Sequence, residues 1–374
     1  MTKAPKVAIV ADWLTNMGGA ELVVLALAEA FPGAPIYTST YVPEKMPRFK
    51  NLDVRTTKLQ NLPGPLRKLH KLFPVMRVRA FRDLDLSEYD VIISSSSAEA
   101  KQIRKSRPDQ IHICYCHTPT RYYWSHYDEY RADPGFGKLN WAVRLLMPII
   151  VPAMRDLDLE GAKGVDLFIA NSTEVQKRIR KYYKKKSVVV HPPVDIERFA
   201  PARKRSDYYV TLGRQVPYKR LDLAVEAATE LGVKLRVYGN GSEHDKLAAK
   251  AGPTVKFYTN RSGDASDANV TKALNNAKAA IFPAEEDFGI VAVEALAAGA
   301  PVITLARGGA RDIVDEDVSG VFFRDQNVDA VANAIRHFET LNILPGTTQR
   351  KAKRFAKSLF ITKIRKIVRD NWQG

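Results

Sequence analysis

Short apolar runs alternate along the chain with segments of helical periodicity. Val7-Ala8-Ile9-Val10, inside a strand predicted over 6–11, gives way to Asn16-Met17-Gly18-Gly19 and then to a helical run over 20–30. Further runs suited to strands buried on both faces fall at 34–39, 91–94, 111–116, 166–170 and 187–190. Strands separated by helices in this way predict a parallel α/β layer.

His191-Pro192-Pro193-Val194-Asp195 breaks the series, because proline removes a ladder donor and restricts the residue before it. A boundary is expected near 198. A second alternation begins at 208–212 and continues at 234–238, 255–258, 279–282, 301–304 and 320–323. The expectation is therefore two doubly wound domains, 1–198 and 199–348, followed by a basic amphipathic helix within 349–374. The length of 374 residues agrees, being more than one core usually supports.

Composition adds two points. Apolar residues at 45% and charged residues at 26% are ordinary for a globular protein and exclude a disordered or fibrous chain. A net charge of +17 points to phosphate-bearing partners, nucleic acid or an anionic membrane. Basic and apolar residues mix over 66–82 as in an interfacial segment, and Lys177 to Lys186 hold a second basic cluster. The apolar stretch 145–152 is too short to span a bilayer, contains prolines, and is expected first as core, with an interfacial segment as the alternative. Cys114 and Cys116 are expected to face opposite ways on one strand and not to bridge, which suits a reducing, cytoplasmic setting.

Ligands of open parallel sheets bind beyond the carboxyl ends of the strands, so the residues following each strand are the candidates. Gly18-Gly19 opens a helix where bare backbone and N–H donors suit an anion, although a turn needing glycine explains the pair equally well. After 208–212, Arg214 and Lys219 share one strand-to-helix loop, where cations can neutralise a departing diphosphate. The segment from Pro283 to Ala295 puts Glu286 on a loop, Phe288-Gly289-Ile290 at a helix mouth, and Glu294 inside that helix. A carboxylate in the last position can take two hydroxyls of a ribose.

That segment resembles the E-x7-E signature of the retaining family-4 glycosyltransferases, with Glu286 and Glu294 in its two places. Gly18-Gly19-Ala20-Glu21 is similar to the family's N-terminal glycine loop, and Cys116-His117-Thr118-Pro119 to its His-containing strand end. Gly308-Gly309-Ala310-Arg311-Asp312 is similar to its glycine pair followed by an acid, with Asp where Glu is more usual. The resemblance runs from the first strand to about Phe323.

It implies an α/β fold of the GT-B type, two facing Rossmann-like doubly wound domains with a cleft between them, the first binding acceptor and the second the nucleotide-sugar. The last helix is implied to cross back to the first domain. His117 and Glu286 would be the catalytic contacts, with Glu286 on donor-sugar hydroxyls, Glu294 on ribose, and Arg214 and Lys219 on the diphosphate. Gly18, Gly19, Phe288, Gly289 and Ile290 would complete the donor site. The implied chemistry is transfer with retention, the departing phosphate drawing the acceptor proton, with no cofactor and no metal. Asp83-Leu84-Asp85 and Asp156-Leu157-Asp158 have the bare form of a cation-holding motif, but neither follows a strand into a glycine turn.

The stretch His117-Thr118-Pro119-Thr120-Arg121-Tyr122 prompts a closer likeness to bacterial mannosyltransferases that build surface polysaccharides on lipid carriers. It implies GDP-mannose as donor, a UDP-sugar second, and a glycan or polyprenyl-diphosphate-linked acceptor. The enzyme would be cytoplasmic and peripheral on the inner face of the plasma membrane. Two rivals are a nucleotide-sugar epimerase of the same fold and a basic nucleic-acid-binding protein. Paired glutamates beside a diphosphate clamp, with no zinc ligand set, basic zipper or RNA-recognition signature, weigh against nucleic acid.

Overall fold

β1 (Val7–Ala11) is buried along its length. Its side chains alternate: Val7, Ile9 and Ala11 join one apolar cluster and Ala8 and Val10 another, so both faces of the first sheet are covered. The computed structural model describes residues 4–64, 73–134, 137, 140–202, 204–259 and 266–372. The chain forms two units, Met1–Pro193 with Phe360–Gly374, and Val194–Leu359.

In the first unit β1 leads to α1 (Gly19–Ala30), β2 (Ile36–Thr38), β3 (Val54–Thr56), α2 (Pro74–Arg82), β4 (Val91–Ser96) and β5 (Ile111–Cys116). Then come α3 (Tyr127–Ala132), α4 (Asn140–Lys163), β6 (Leu167–Ala170), α5 (Thr173–Tyr183) and β7 (Ser187–Val189). The sheet order is β3-β2-β1-β4-β5-β6-β7, with all its pairs parallel. Its order reverses between β1 and β4.

The second unit runs β8 (Tyr208–Leu212), α6 (Leu221–Leu231), β9 (Lys234–Tyr238), α7 (His244–Lys250), β10 (Val255–Tyr258), α8 (Asp267–Asn276) and β11 (Ala279–Phe282). It continues with α9 (Ile290–Ala297), β12 (Val302–Leu305), α10 (Ala310–Ile313), β13 (Gly320–Phe323), α11 (Val328–Glu339) and α12 (Pro345–Ala352). The order is β10-β9-β8-β11-β12-β13, again parallel, and it reverses between β8 and β11. Tyr209 packs toward α6 and α11, while Tyr208 and Val210 pack toward α8 and α9.

α13 (Lys357–Asn371) returns to the first unit. Phe360, Ile364 and Val368, four residues apart, fill the cluster under β1 and α1, and Arg365 donates to the Ala30 carbonyl at 2.8 Å. The expected boundaries shift accordingly. Val194 and Phe199 belong to the second core, so the first division falls at 193 and not at 198. Phe355 packs on Phe288 in that same core, so the return begins at 360 and not at 349.

Three expectations need correction. The stretch 145–152 is not core: it lies in α4, and Leu145, Leu146, Ile149 and Ile150 are exposed. Within 66–82, residues 65–72 lie outside the described residues, and Arg77 is buried in an ion pair with Glu99 at 2.8 Å and so is unavailable to an interface. Cys114 and Cys116 share one face of β5, because strand side chains alternate with period two, and both are buried free thiols in one cluster. Among the described residues no helix is long and apolar enough to cross a membrane.

His112, the second residue of β5, is fully buried with its Nε2 2.8 Å from Ser94 Oγ. Burial lowers its pKa from 6.5 to about 4, Asp166 opposing. Between these values the unfolded chain binds a proton that the folded chain does not, so stability falls on acidification. His112→Gln is expected to flatten the loss of about 3 kcal/mol between pH 6.5 and 4, as read from urea midpoints across that range.

Candidate active site

An open doubly wound sheet leaves a crevice where its order reverses, since neighbouring loops there run to opposite sides. In the second unit this point lies between the loops after β8 and β11. Both carry chemistry. The loop after β8 passes Arg214, makes a tight turn over Pro217–Lys219, and enters α6. The loop after β11 carries Glu286 into α9, whose N-cap Gly289 takes a left-handed φ of 98°, open to glycine at little cost. Across the reversal Lys219 Nζ donates to Glu286 Oε1.

Backbone contacts too close for a side chain hold these loops. A Cβ on Gly239 would stand 2.1 Å from the Gly213 carbonyl oxygen, and one on Gly241 2.0 Å from that of Gln215. Gln215 is buried, donating to the Gly239 carbonyl at 2.8 Å and meeting His244 Nδ1 at 2.8 Å. The loops after β8 and β9 thus form one body. On the other side Gly309 N–H donates to the Glu286 carbonyl at 2.8 Å, and a Cβ on Gly309 would lie 2.3 Å from Phe288 Cα. Gly308-Gly309 therefore fixes the turn that presents Glu286. Gly309→Ala is expected to push that turn away and lower kcat by about tenfold or more, with a smaller fall in Tm. Equal activity in steady-state kinetics would refute that role.

Glu294, the fifth residue of α9, is mostly buried, and Arg198 donates to its carboxylate at 2.6 Å. Burial raises its pKa, and Arg198 opposes the shift without reversing it. Arg214 is exposed and donates to Tyr218 Oη at 3.0 Å. Phe288 is packed in the core against Phe355, so it offers backbone and not its ring. Ile290 opens α9, partly buried against the same core. Arg214, Lys219, Glu286, Phe288, Gly289, Ile290 and Glu294 all lie in this unit.

In the first unit the reversal lies between β1 and β4, and the residue that occupies it, Asp12, was missed in the sequence. Its carboxylate accepts from Ser97 N–H at 2.6 Å, Ala98 N–H at 3.0 Å and Ala100 N–H at 2.7 Å, tying the loop after β4 to the end of β1. Burial and Glu99 raise its pKa against these bonds. The strand-end rule that selected Gly18 applies to Asp12 one residue past β1. Gly18 and Gly19 are exposed at the start of α1, and Gly18 is extended with φ −163°, so no turn strain demands glycine there. His117 follows β5 and is partly exposed, its Nε2 2.8 Å from Ser95 Oγ and its carbonyl held by Asn171 at 2.9 Å. Among the described residues no group of His, Cys, Asp and Glu is arranged to hold a metal.

Two parallel Rossmann-like units, the second bearing paired glutamates and cations at its reversal point, define the GT-B class. Residues 17–198 match Glycosyltransferase Family 4 and residues 193–358 match Glycosyl transferases group 1, so the two units of this GT-B fold are each similar to one of these families. It is 32% identical to the D-inositol 3-phosphate glycosyltransferase of Geodermatophilus obscurus over 46% of this chain and 45% of that protein. Identity to the protein of the same name from Kribbella flavida is 31%, over 51% of each chain. The chain thus spans about half the length of the curated relatives it matches. Among solved structures, HepE of Anabaena in complex with UDP and glucose superposes with a TM-score of 0.69 at 18% identity, covering 98% of this chain and 99% of that one. Sucrose-phosphate synthase from Thermosynechococcus elongatus gives 0.70 at 17% identity, covering 97% and 98%. These likenesses share the fold.

Proposed function

We propose that the protein transfers a hexosyl unit, with retention and without a metal, from a nucleoside-diphosphate sugar to a glycan or polyprenyl-diphosphate-linked acceptor. The observation that carries this reading is the Lys219–Glu286 pair at the reversal point of the second sheet, in loops locked by glycines. In the reaction Lys219 and Arg214 neutralise the diphosphate as it leaves, and Glu286 accepts hydrogen bonds from the sugar hydroxyls. Glu294 exchanges Arg198 for the ribose hydroxyls. The departing phosphate takes the acceptor proton, so no protein nucleophile is used. His117 of the first unit is a hydrogen-bonding contact to the sugar, positioned by Ser95.

GDP-mannose remains the donor favoured by the His117 to Tyr122 stretch, in surface-polysaccharide synthesis at the inner membrane face. A second reading, a UDP-sugar passed to a phosphorylated inositol, is favoured by the names of the curated relatives and by the UDP-glucose held in HepE. The test is NMR of the product from each donor in the presence of EDTA, with a lipid-diphosphate glycan and with inositol 3-phosphate as acceptors. The reading expects one donor to give a product of unchanged anomeric configuration. Inversion, a strict metal requirement, or efficient epimerisation of the donor without acceptor would contradict it.

A further inference from the structure

Trp141, Leu145 and Ile149 lie four residues apart on the first half of α4, with Leu146 and Ile150 beside them. All five are exposed, Trp141 by 70%, Leu145 by 66% and Ile149 by 72%. A helix on a water-soluble unit normally turns such a stripe inward. Here the inward positions are others: Val151 and Met154 pack with Val78 of α2 and with Tyr123. Val75 and Met76, one turn before Val78, are exposed as well. An apolar surface of this extent marks an interaction site.

The charges choose the occupant. From Asn140 to Arg155 the helix has no carboxylate, and the exposed Arg144 stands among the apolar side chains. The chain carries +17 in total, and Lys177, Arg180, Lys181 and Lys184 at the end of α5 are exposed in the same unit. An apolar ridge with a cation able to snorkel, on a strongly basic body, is complementary to an anionic bilayer surface.

We propose that the first half of α4 inserts its apolar face into the headgroup region of an anionic phospholipid bilayer and anchors the first unit there. As a means of reaching a lipid-linked acceptor the proposal rests on the transferase reading above, whereas the surface itself does not. It also moves the anchor from the basic stretch over 66–82, where Arg77 is committed to Glu99, to α4.

The test is co-sedimentation of the full chain with vesicles of phosphatidylcholine containing phosphatidylglycerol, comparing wild type with Leu145→Asp/Ile149→Asp. The wild type is expected to bind, and the double variant to bind about tenfold more weakly or less, with an unchanged melting temperature because both side chains are exposed. Tryptophan emission of the wild type should shift to the blue on binding, a component that Trp141→Phe removes. Equal vesicle binding by the double variant overturns the proposal. So does a wild-type oligomer that the double variant converts to monomer, since the face would then belong to a second copy. Transfer to a water-soluble acceptor separates the two claims. A wild type that transfers sugar but ignores vesicles overturns the anchor alone, and one that binds vesicles but transfers nothing overturns the transferase reading alone.

Discussion

Asp158→Ala is expected to destabilise the protein by about 3–5 kcal/mol, the usual effect of stranding a buried charge. Asp158 Oδ1 lies 2.6 Å from Lys101 Nζ, and both side chains are almost fully buried. The same carboxylate accepts from Thr120 Oγ1 at 3.1 Å, Trp124 Nε1 at 2.7 Å and Tyr183 Oη at 2.8 Å. Burial lowers the pKa of Lys101, but Asp158 outweighs it, so the net shift is upward and the ammonium stays charged. Removing Asp158 leaves that ammonium without a counter-charge, holding only neutral acceptors such as the Ala98 carbonyl, and takes the shared acceptor from Thr120, Trp124 and Tyr183, so that the turn over Ala100–Gln102, α4 and α5 no longer meet at one carboxylate. Urea denaturation followed by fluorescence measures the loss. The double variant Lys101→Met/Asp158→Leu should lose much less than the sum of the single changes, because no charge is then stranded. A fall of under about 1 kcal/mol in Asp158→Ala would contradict the assignment.

Lys219→Met is expected to leave the fold nearly intact and to lower kcat by about a hundredfold or more. The Lys219–Glu286 pair is about one quarter exposed or less on each side, and partly exposed pairs contribute about 1 kcal/mol or less to stability. In the proposed reaction the same ammonium would face a leaving diphosphate and be worth far more, because the charge it neutralises would develop only as the bond breaks. Steady-state kinetics with thermal melting on one sample separate the two effects. A variant with near-normal kcat would remove Lys219 from the reaction, and one that simply unfolds would make the pair structural.

The fold was legible because its strands are continuous apolar runs. The predicted segments 111–116, 208–212 and 320–323 coincide with β5, β8 and β13, since buried parallel strands are apolar along most of their length, with His112 and Thr211 too few to blur the pattern. β3 was missed: Val54–Thr56 is a three-residue edge strand, partly exposed and without such a run. The stretch 145–152 was misplaced for the opposite reason, as apolar composition does not say whether a helix turns its apolar side inward. At the site, Glu286 and Lys219 could be found because each follows a strand by a short loop, and Glu294 because it takes the second place of the E-x7-E signature. Their partners could not. Arg198 meets Glu294 across 96 positions of chain, and Asp12 meets Ser97 across 85, distances over which local pattern carries no information. Asp158 belongs to an acidic triplet that resembled a cation motif, and only its burial beside Lys101 shows what it does.

The most direct test of the central claim is a metal-free thermal-shift panel of GDP, UDP, ADP and dTDP with their sugar conjugates, on wild type and Glu294→Ala. A ligand that binds only the folded state at a hundred times its Kd raises stability by about 2.7 kcal/mol. The account predicts that one nucleotide family raises the wild-type Tm selectively and that the shift disappears in Glu294→Ala. A shift of equal size in both proteins would contradict the place given to Glu294, and no shift with any nucleotide would contradict the donor site itself.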